Sequence, residues 1–116
     1  MSTGLVIQER RVGPVTVVAL SGWLVAHKGE EVFKERIADL VRGGQVDLVI
    51  DLLAVDYIDS GGVGVLVSTL LHVTRRGGRL KLLHPSDRVS RVLDITGLNE
   101  VFAIFLREDE ALASFG

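Results

Sequence analysis

Residues 46–53 constrain the fold of this chain most, because they are apolar almost without interruption. Only Asp47 and Asp51 break the run. A half-exposed strand alternates between apolar and polar residues, whereas a strand covered on both faces reads as a nearly continuous apolar run. The segment therefore predicts a central strand of a parallel sheet, with other elements packed on both of its faces.

Strand-like and helix-like segments alternate on either side of this run. Near the N-terminus, Gly13 and Pro14 separate two strand-like segments, which predicts a hairpin. The predicted strands are residues 5–12, 15–20, 46–53, 80–83 and 101–105, and the predicted helices are residues 30–42, 61–76, 108–115 and a segment that Ser86 caps and Gly97 ends. This order predicts an α/β fold with a mixed, mostly parallel sheet, an N-terminal β-hairpin and about four helices.

The helix predicted at residues 61–76 is apolar on nearly all sides, so it should be the most buried helix. Its long side chains are expected to pack across the sheet. They are Val63, Leu66, Val67, Leu70 and Leu71.

Size and composition limit the classes of protein to which the chain can belong. Its 116 residues predict a single domain over residues 1–116, and the absence of cysteine excludes disulfides and thiolate sites. The net charge of −2 carries no basic excess, so no direct contact with nucleic acid is expected. No apolar segment is long enough to insert into a membrane, and the N-terminus lacks a signal-peptide pattern, which predicts a cytoplasmic protein.

Catalytic motifs are absent from the sequence. The three histidines, His27, His72 and His84, share no metal-ligand spacing, and no nucleophile elbow or complete phosphate-binding loop is present. We therefore expect no enzymatic activity, no catalytic residues, no cofactor and no metal. A protein that acts by binding another protein fits these absences better than an enzyme does.

One polar segment stands out, at residues 56–64, where the buried strand gives way to the buried helix. Asp59 or Ser60 is placed to cap the first free N–H groups of the helix, and the glycines after them permit a tight entry. An ordinary capped helix start explains this pattern. A regulated surface or an anion site at the positive end of the helix dipole is the functional alternative.

The same segment resembles the hallmark of the STAS family, the sulfate transporter and anti-sigma factor antagonist domains. In that family a buried strand is followed by Asp-Ser-Ser/Thr-Gly-Leu-Gly, and this chain has Asp-Ser-Gly-Gly-Val-Gly at residues 59–64. Residues 20–22, 89–98 and 102–112 are similar to further family segments in the same order. The stand-alone bacterial anti-sigma factor antagonists are the most similar type.

This resemblance implies a function in transcription regulation by partner switching. An antagonist binds an anti-sigma factor, which is also a serine kinase, and so releases a sigma factor. Phosphorylation at the start of the helix then breaks the complex. The resemblance implies a partner interface that includes Asp59, Ser60, Gly61 and Gly62, with an anti-sigma factor or related kinase-like protein as the partner.

Two positions depart from the family pattern. The family's phosphoacceptor position is Gly61 in this chain, which has no hydroxyl, and Val25 stands where the family often has an acidic residue. Ser60 is one residue too early, and one residue turns a helix by about 100°. Ser60 is thus a weak candidate for phosphorylation, its hydroxyl being better used as a cap, and the sequence predicts a binder that is not switched at the usual site.

Two alternatives and one further interface residue remain open from the sequence. The chain could be an accessory STAS subunit of an ABC-type lipid transporter, or a domain that binds a nucleotide or a small anion at the Ser60 end of the helix. Trp23, the only tryptophan, is expected in the loop after the second strand. There it either folds over the edge of the core or anchors the partner interface.

Overall fold

A hairpin opens the fold in the computed structural model, which describes residues 4–27 and 29–116. Strand β1, Leu5–Val12, pairs antiparallel with strand β2, Val15–Leu24. Gly13 lies in the turn with a φ of 60°, a left-handed conformation that glycine adopts without strain. The predicted hairpin is therefore confirmed, with a second strand that continues four residues beyond its predicted end.

The remaining elements alternate as the sequence predicts. They are helix α1 Glu30–Arg42, strand β3 Asp47–Ile58, helix α2 Ser60–Arg75, strand β4 Arg79–Leu83, helix α3 Asp87–Ile95, strand β5 Ile104–Phe105 and helix α4 Glu108–Ala113. The sheet order is β1-β2-β3-β4-β5, and every pair after the hairpin is parallel. The predicted α/β fold with a mostly parallel sheet is confirmed. Ser86 caps α3 as predicted, since its Oγ accepts from the Val89 N–H at 3.3 Å.

Helix α2 packs against the sheet through a narrower stripe than the sequence predicts. Leu66 is fully buried, as are Val65 and Val73 on the same side, while Val63, Val67 and Leu70 are partly buried against the core. Leu71 is 47% exposed, so its predicted packing across the sheet is wrong. Leu71 follows Leu66 by five residues, about 140° around the helix, which turns it away from the sheet.

Strand β3 is covered on both faces only in its first half. Its side chains on one face lie in the main core beneath α1, α2 and α3. On the other face, Val49 packs with Phe115 and other residues at the α4 end of the chain, but Asp51 is half-buried and Leu53 is 65% exposed. The prediction of a strand covered on both faces is thus wrong for its second half, because α4 is too short to cover it.

The predicted strand at residues 101–105 is mostly irregular. Only Ile104–Phe105 pairs with β4, and a 3₁₀ turn, Leu98–Glu100, precedes it after Gly97 at a φ of 76°. Phe102 is nevertheless buried, so the apolar residues of this segment serve the core without forming a longer strand. In the described part of the chain, no helix is long and apolar enough to cross a membrane.

The two outer strands of the sheet are protected in different ways. On β1, Glu9 accepts from Arg36 of α1 at 2.9 Å, and Arg10 bonds to Glu108 of α4. At the opposite edge, β5 has only two residues. Neither edge therefore presents a long, uncharged row of free backbone groups.

Candidate partner-binding site

The start of α2 is capped by Asp59, not by Ser60. Asp59 has an extended backbone, and its Oδ1 accepts a hydrogen bond from the Gly62 N–H at 2.9 Å. Ser60 is the first residue of the helix, and its side chain is exposed. Within residues 4–27 and 29–116, the Ser60 hydroxyl has no hydrogen-bond partner, so the expectation that it serves as the cap is wrong.

The same carboxylate also holds the loop between β2 and α1. The Ala26 N–H donates to Asp59 Oδ1 at 3.1 Å and to Oδ2 at 3.2 Å. The Asp59 N–H in turn donates to the Leu24 carbonyl at 3.4 Å. Asp59 therefore joins the carboxyl ends of two neighbouring parallel strands to the start of α2.

The two glycines at the start of α2 allow this close approach. A Cβ atom at Gly62 would lie 2.1 Å from the Leu24 carbonyl oxygen. A Cβ atom at Gly61 would lie 2.4 Å from the Cβ of Ala26 and 2.9 Å from its backbone nitrogen. Both positions thus accept glycine alone while the β2–α1 loop keeps its place.

Ala26 is a member of this site that the sequence analysis missed. It is half-buried between the cap and the helix start. No local pattern could have shown the contact, because Ala26 and Gly61 are brought together only when β2 and β3 pair side by side. Val25, one of the departures from the family pattern, is 8% exposed, so its side chain adds almost nothing to the surface.

Trp23 lies at the end of β2 and not in the loop after it, which corrects the predicted location. It is paired in register with Tyr57 of β3, and the centroids of the two rings are 5.4 Å apart. The two residues are 39% and 40% exposed. The next residues in register, Leu24 and Ile58, are buried in the core beneath the helices, so the two rings project from the opposite face of the sheet.

The structure thus brings together four of the five predicted interface residues and separates the fifth. Asp59, Ser60, Gly61 and Gly62 form one surface with the β2–α1 loop, whereas Trp23 lies at the same end of the sheet on its other face. In the described ranges, no group of three or more histidine, aspartate or glutamate side chains is placed to hold a metal ion. This surface presents the exposed hydroxyl of Ser60 at a helix start that the hydrogen bonds of Asp59 hold in place.

Comparison with known proteins gives the family. The sequence model of the STAS domain matches residues 7–111. The chain is 41% identical over 78 residues to the anti-sigma-B factor antagonist of Bacillus subtilis strain 168, covering 67% of this chain and 71% of the relative. It is 33% identical over 104 residues to the anti-sigma-B factor antagonist of Listeria monocytogenes, covering 90% of each.

A solved structure shows the same fold. The crystal structure of an anti-sigma factor antagonist from Mycobacterium paratuberculosis superposes with a TM-score of 0.86 at 24% identity, over 98% of this chain and 96% of the other. The resemblance found at residues 59–64 is therefore confirmed by matches that extend over most of the sequence and the fold. This chain belongs to the STAS domain family.

Proposed function

We propose that this chain is an anti-sigma factor antagonist, which acts in the cytoplasm by binding a kinase-like anti-sigma factor and so releasing a sigma factor. The observation that carries the proposal is the likeness to antagonists at 33–41% identity, together with a helix start that is exposed at Ser60. The proposed activity is binding alone, without a catalytic step.

The geometry of the helix start suits a binding surface. Asp59 fixes both the first turn of α2 and the β2–α1 loop through three hydrogen-bond contacts from two N–H groups, two contacts from Ala26 and one from Gly62. A surface that is held in place before the partner arrives loses less conformational entropy on binding. The surface around Ser60 is therefore the part of the molecule best prepared for a specific contact.

Regulation of this antagonist by phosphate at the second helix residue is excluded by its chemistry, since Gly61 has no hydroxyl. Ser60 supplies the only hydroxyl in the first turn of α2. A phosphate on a serine adds about −1.5 to −2 charges at pH 7, which would have to be desolvated in a packed interface. Because Ser60 lies one residue before the family's acceptor position, about 100° around the helix, we propose a constitutive binder that is controlled by its abundance or through its partner.

The test uses the purified chain and the kinase-like anti-sigma factor encoded in the same genome. Ser60→Glu should weaken binding at least about tenfold by isothermal titration calorimetry, because it places a charge in the interface; tenfold corresponds to about 1.4 kcal/mol. The fold should persist, since a carboxylate is favourable at a helix N-terminus.

Thr74→Glu is the matched control, because Thr74 is exposed near the other end of the same helix. It should bind as tightly as the unaltered chain. Absence of binding by the unaltered chain would contradict the proposed function. Equal binding by Ser60→Glu would contradict the assignment of the interface to the start of α2.

A further inference from the structure

We infer that Ala26 and Gly61 form a matched pair, in which the β2–α1 loop occupies the space that any side chain at position 61 would need. The inference deepens the proposed function and rests on it for its biological meaning, because position 61 is where regulation would act. The structural part of the inference concerns this chain alone.

The first step is the nature of the obstruction. The three atoms nearest to a Cβ at Gly61 all belong to Ala26: its Cβ at 2.4 Å, its Cα at 2.8 Å and its nitrogen at 2.9 Å. The last two are main-chain atoms, so rotation of a flexible side chain cannot make room. A side chain at position 61 must displace the loop itself.

The second step is what holds the loop in place. The Ala26 N–H is bonded to both oxygens of Asp59, and Val25 forms an isolated β-bridge with Gly29. Gly29 in turn approaches Leu5, since a Cβ there would lie 2.7 Å from the Cβ of Leu5. Displacement of Ala26 would therefore break its hydrogen bonds to Asp59 and strain a short loop that is held at both ends.

The consequence concerns how this antagonist could acquire a switch. A Gly61→Ser change alone supplies a hydroxyl but forces the loop away from the cap. With glycine at position 26 the nearest of the three atoms is absent, but the main-chain Cα and nitrogen remain, so serine at position 61 then displaces the loop less. The residues at positions 26 and 61 thus determine together how far the β2–α1 loop must move when a phosphoacceptor hydroxyl is placed at the second residue of α2.

The experiment compares Gly61→Ser, Ala26→Gly and the double variant in the full chain. Gly61→Ser should lower the urea midpoint by about 1 M, as expected for an overpacked contact, and should speed exchange of the Ala26 amide proton about tenfold. Ala26→Gly removes the nearest of the three atoms. The double variant should therefore lose less than the sum of the two single variants.

Gly64→Ser is the matched control, because Gly64 lies in the same helix and a Cβ there meets nothing within 4 Å. It should leave the urea midpoint unchanged or slightly raised, since serine has a higher helix propensity than glycine. A Gly61→Ser midpoint equal to that of Gly64→Ser, or losses that simply add in the double variant, would overturn the inference. These measurements need no partner, so they are independent of the proposed function.

Discussion

Asp59 makes three hydrogen-bond contacts with a single half-buried carboxylate, two to the Ala26 N–H and one to the Gly62 N–H. An ordinary N-cap satisfies one free N–H group of its own helix. Asp59 satisfies in addition an N–H group of a loop 33 residues earlier in the chain. Its loss should therefore affect two segments together.

Replacement of this side chain tests its double contact. Asp59→Ala should lower the free energy of unfolding by about 2–3 kcal/mol, because it removes the cap and leaves the Ala26 N–H without its acceptor. Ser86→Ala is the comparison, because the Ser86 Oγ accepts from a single N–H group, that of Val89, and donates only a long hydrogen bond to the Val55 carbonyl at 3.4 Å; its loss should cost about 1 kcal/mol. Urea denaturation measures both, and equal losses would show that the Ala26 contact contributes nothing.

Trp23 and Tyr57 allow a second test at the level of single residues. Their partly exposed rings form an aromatic pair that is worth about 0.5–1.5 kcal/mol beyond the area they bury. We predict that Trp23→Ala weakens binding of the anti-sigma factor by more than it weakens folding, because Trp23 lies at the same end of the sheet as Ser60 and a partner that contacts both must extend around that end. Calorimetric titration beside urea denaturation provides the comparison. Unfolding of the variant, or unchanged affinity, would remove Trp23 from the interface.

Helix α2 shows how a single element divides its leucines between the core and the surface. Leu66→Ala should lower the free energy of unfolding by about 2–5 kcal/mol, because it leaves a cavity in a fully buried place. Leu71→Ala on the exposed side of the helix should change it by less than about 0.5 kcal/mol. Similar losses at the two positions in urea denaturation would contradict the orientation of the helix.

The last helix, α4, is fastened to the sheet by Lys81. The Lys81 Nζ donates to the Ser114 carbonyl at 3.0 Å and to its Oγ at 2.8 Å, and lies 4.5 Å from the centre of the Phe115 ring. A cation over an aromatic ring contributes about 0.5–1 kcal/mol at exposed places. Arg79 of β4 also lies over this ring, 5.1 Å from its centre, so two cations of β4 hold the end of α4 and Lys81 alone adds hydrogen bonds to Ser114.

Removal of that cation should loosen α4 while the rest of the sheet stays intact. Lys81→Met is expected to speed amide exchange in α4 about fivefold and to leave exchange in β3 unchanged, as in a local opening. Arg107→Gln is the control. Arg107 lies just before α4 and pairs with Asp109, an exposed residue of the first turn of the same helix. Equal exchange in the two variants would show that Lys81 does not fasten the helix.

At the scale of the whole molecule, β3 joins the two cores. Its residues on one face belong to the main core, and Val49 on the other face belongs to the smaller core beneath α4. We therefore predict one cooperative unfolding transition. The fluorescence of Trp23 and the far-UV circular dichroism of the helices should give coincident curves. Two separate midpoints would show that the cores unfold independently.

Local patterns in the sequence predicted most of the fold. The bounds of α1, the cap at Ser86 and the hairpin depend on neighbouring residues and on periodicity, which a sequence displays directly. The exposure of Leu53 could not be predicted, because it depends on how far α4 reaches across the sheet. The contact between Ala26 and Gly61 was missed for the same reason, since it requires tertiary closure of two distant segments.

The two edges of the sheet affect the concentration at which this chain can work as a binding protein. One edge is the charged strand β1 and the other is the two-residue strand β5. A titrating protein acts mole for mole, so its cellular concentration must match that of its target. Sheets with long, bare edges join edge to edge and grow into fibres as concentration rises. The ion pairs of Glu9 and Arg10 therefore oppose edge-to-edge growth of the sheet at the concentrations that a stoichiometric binder needs.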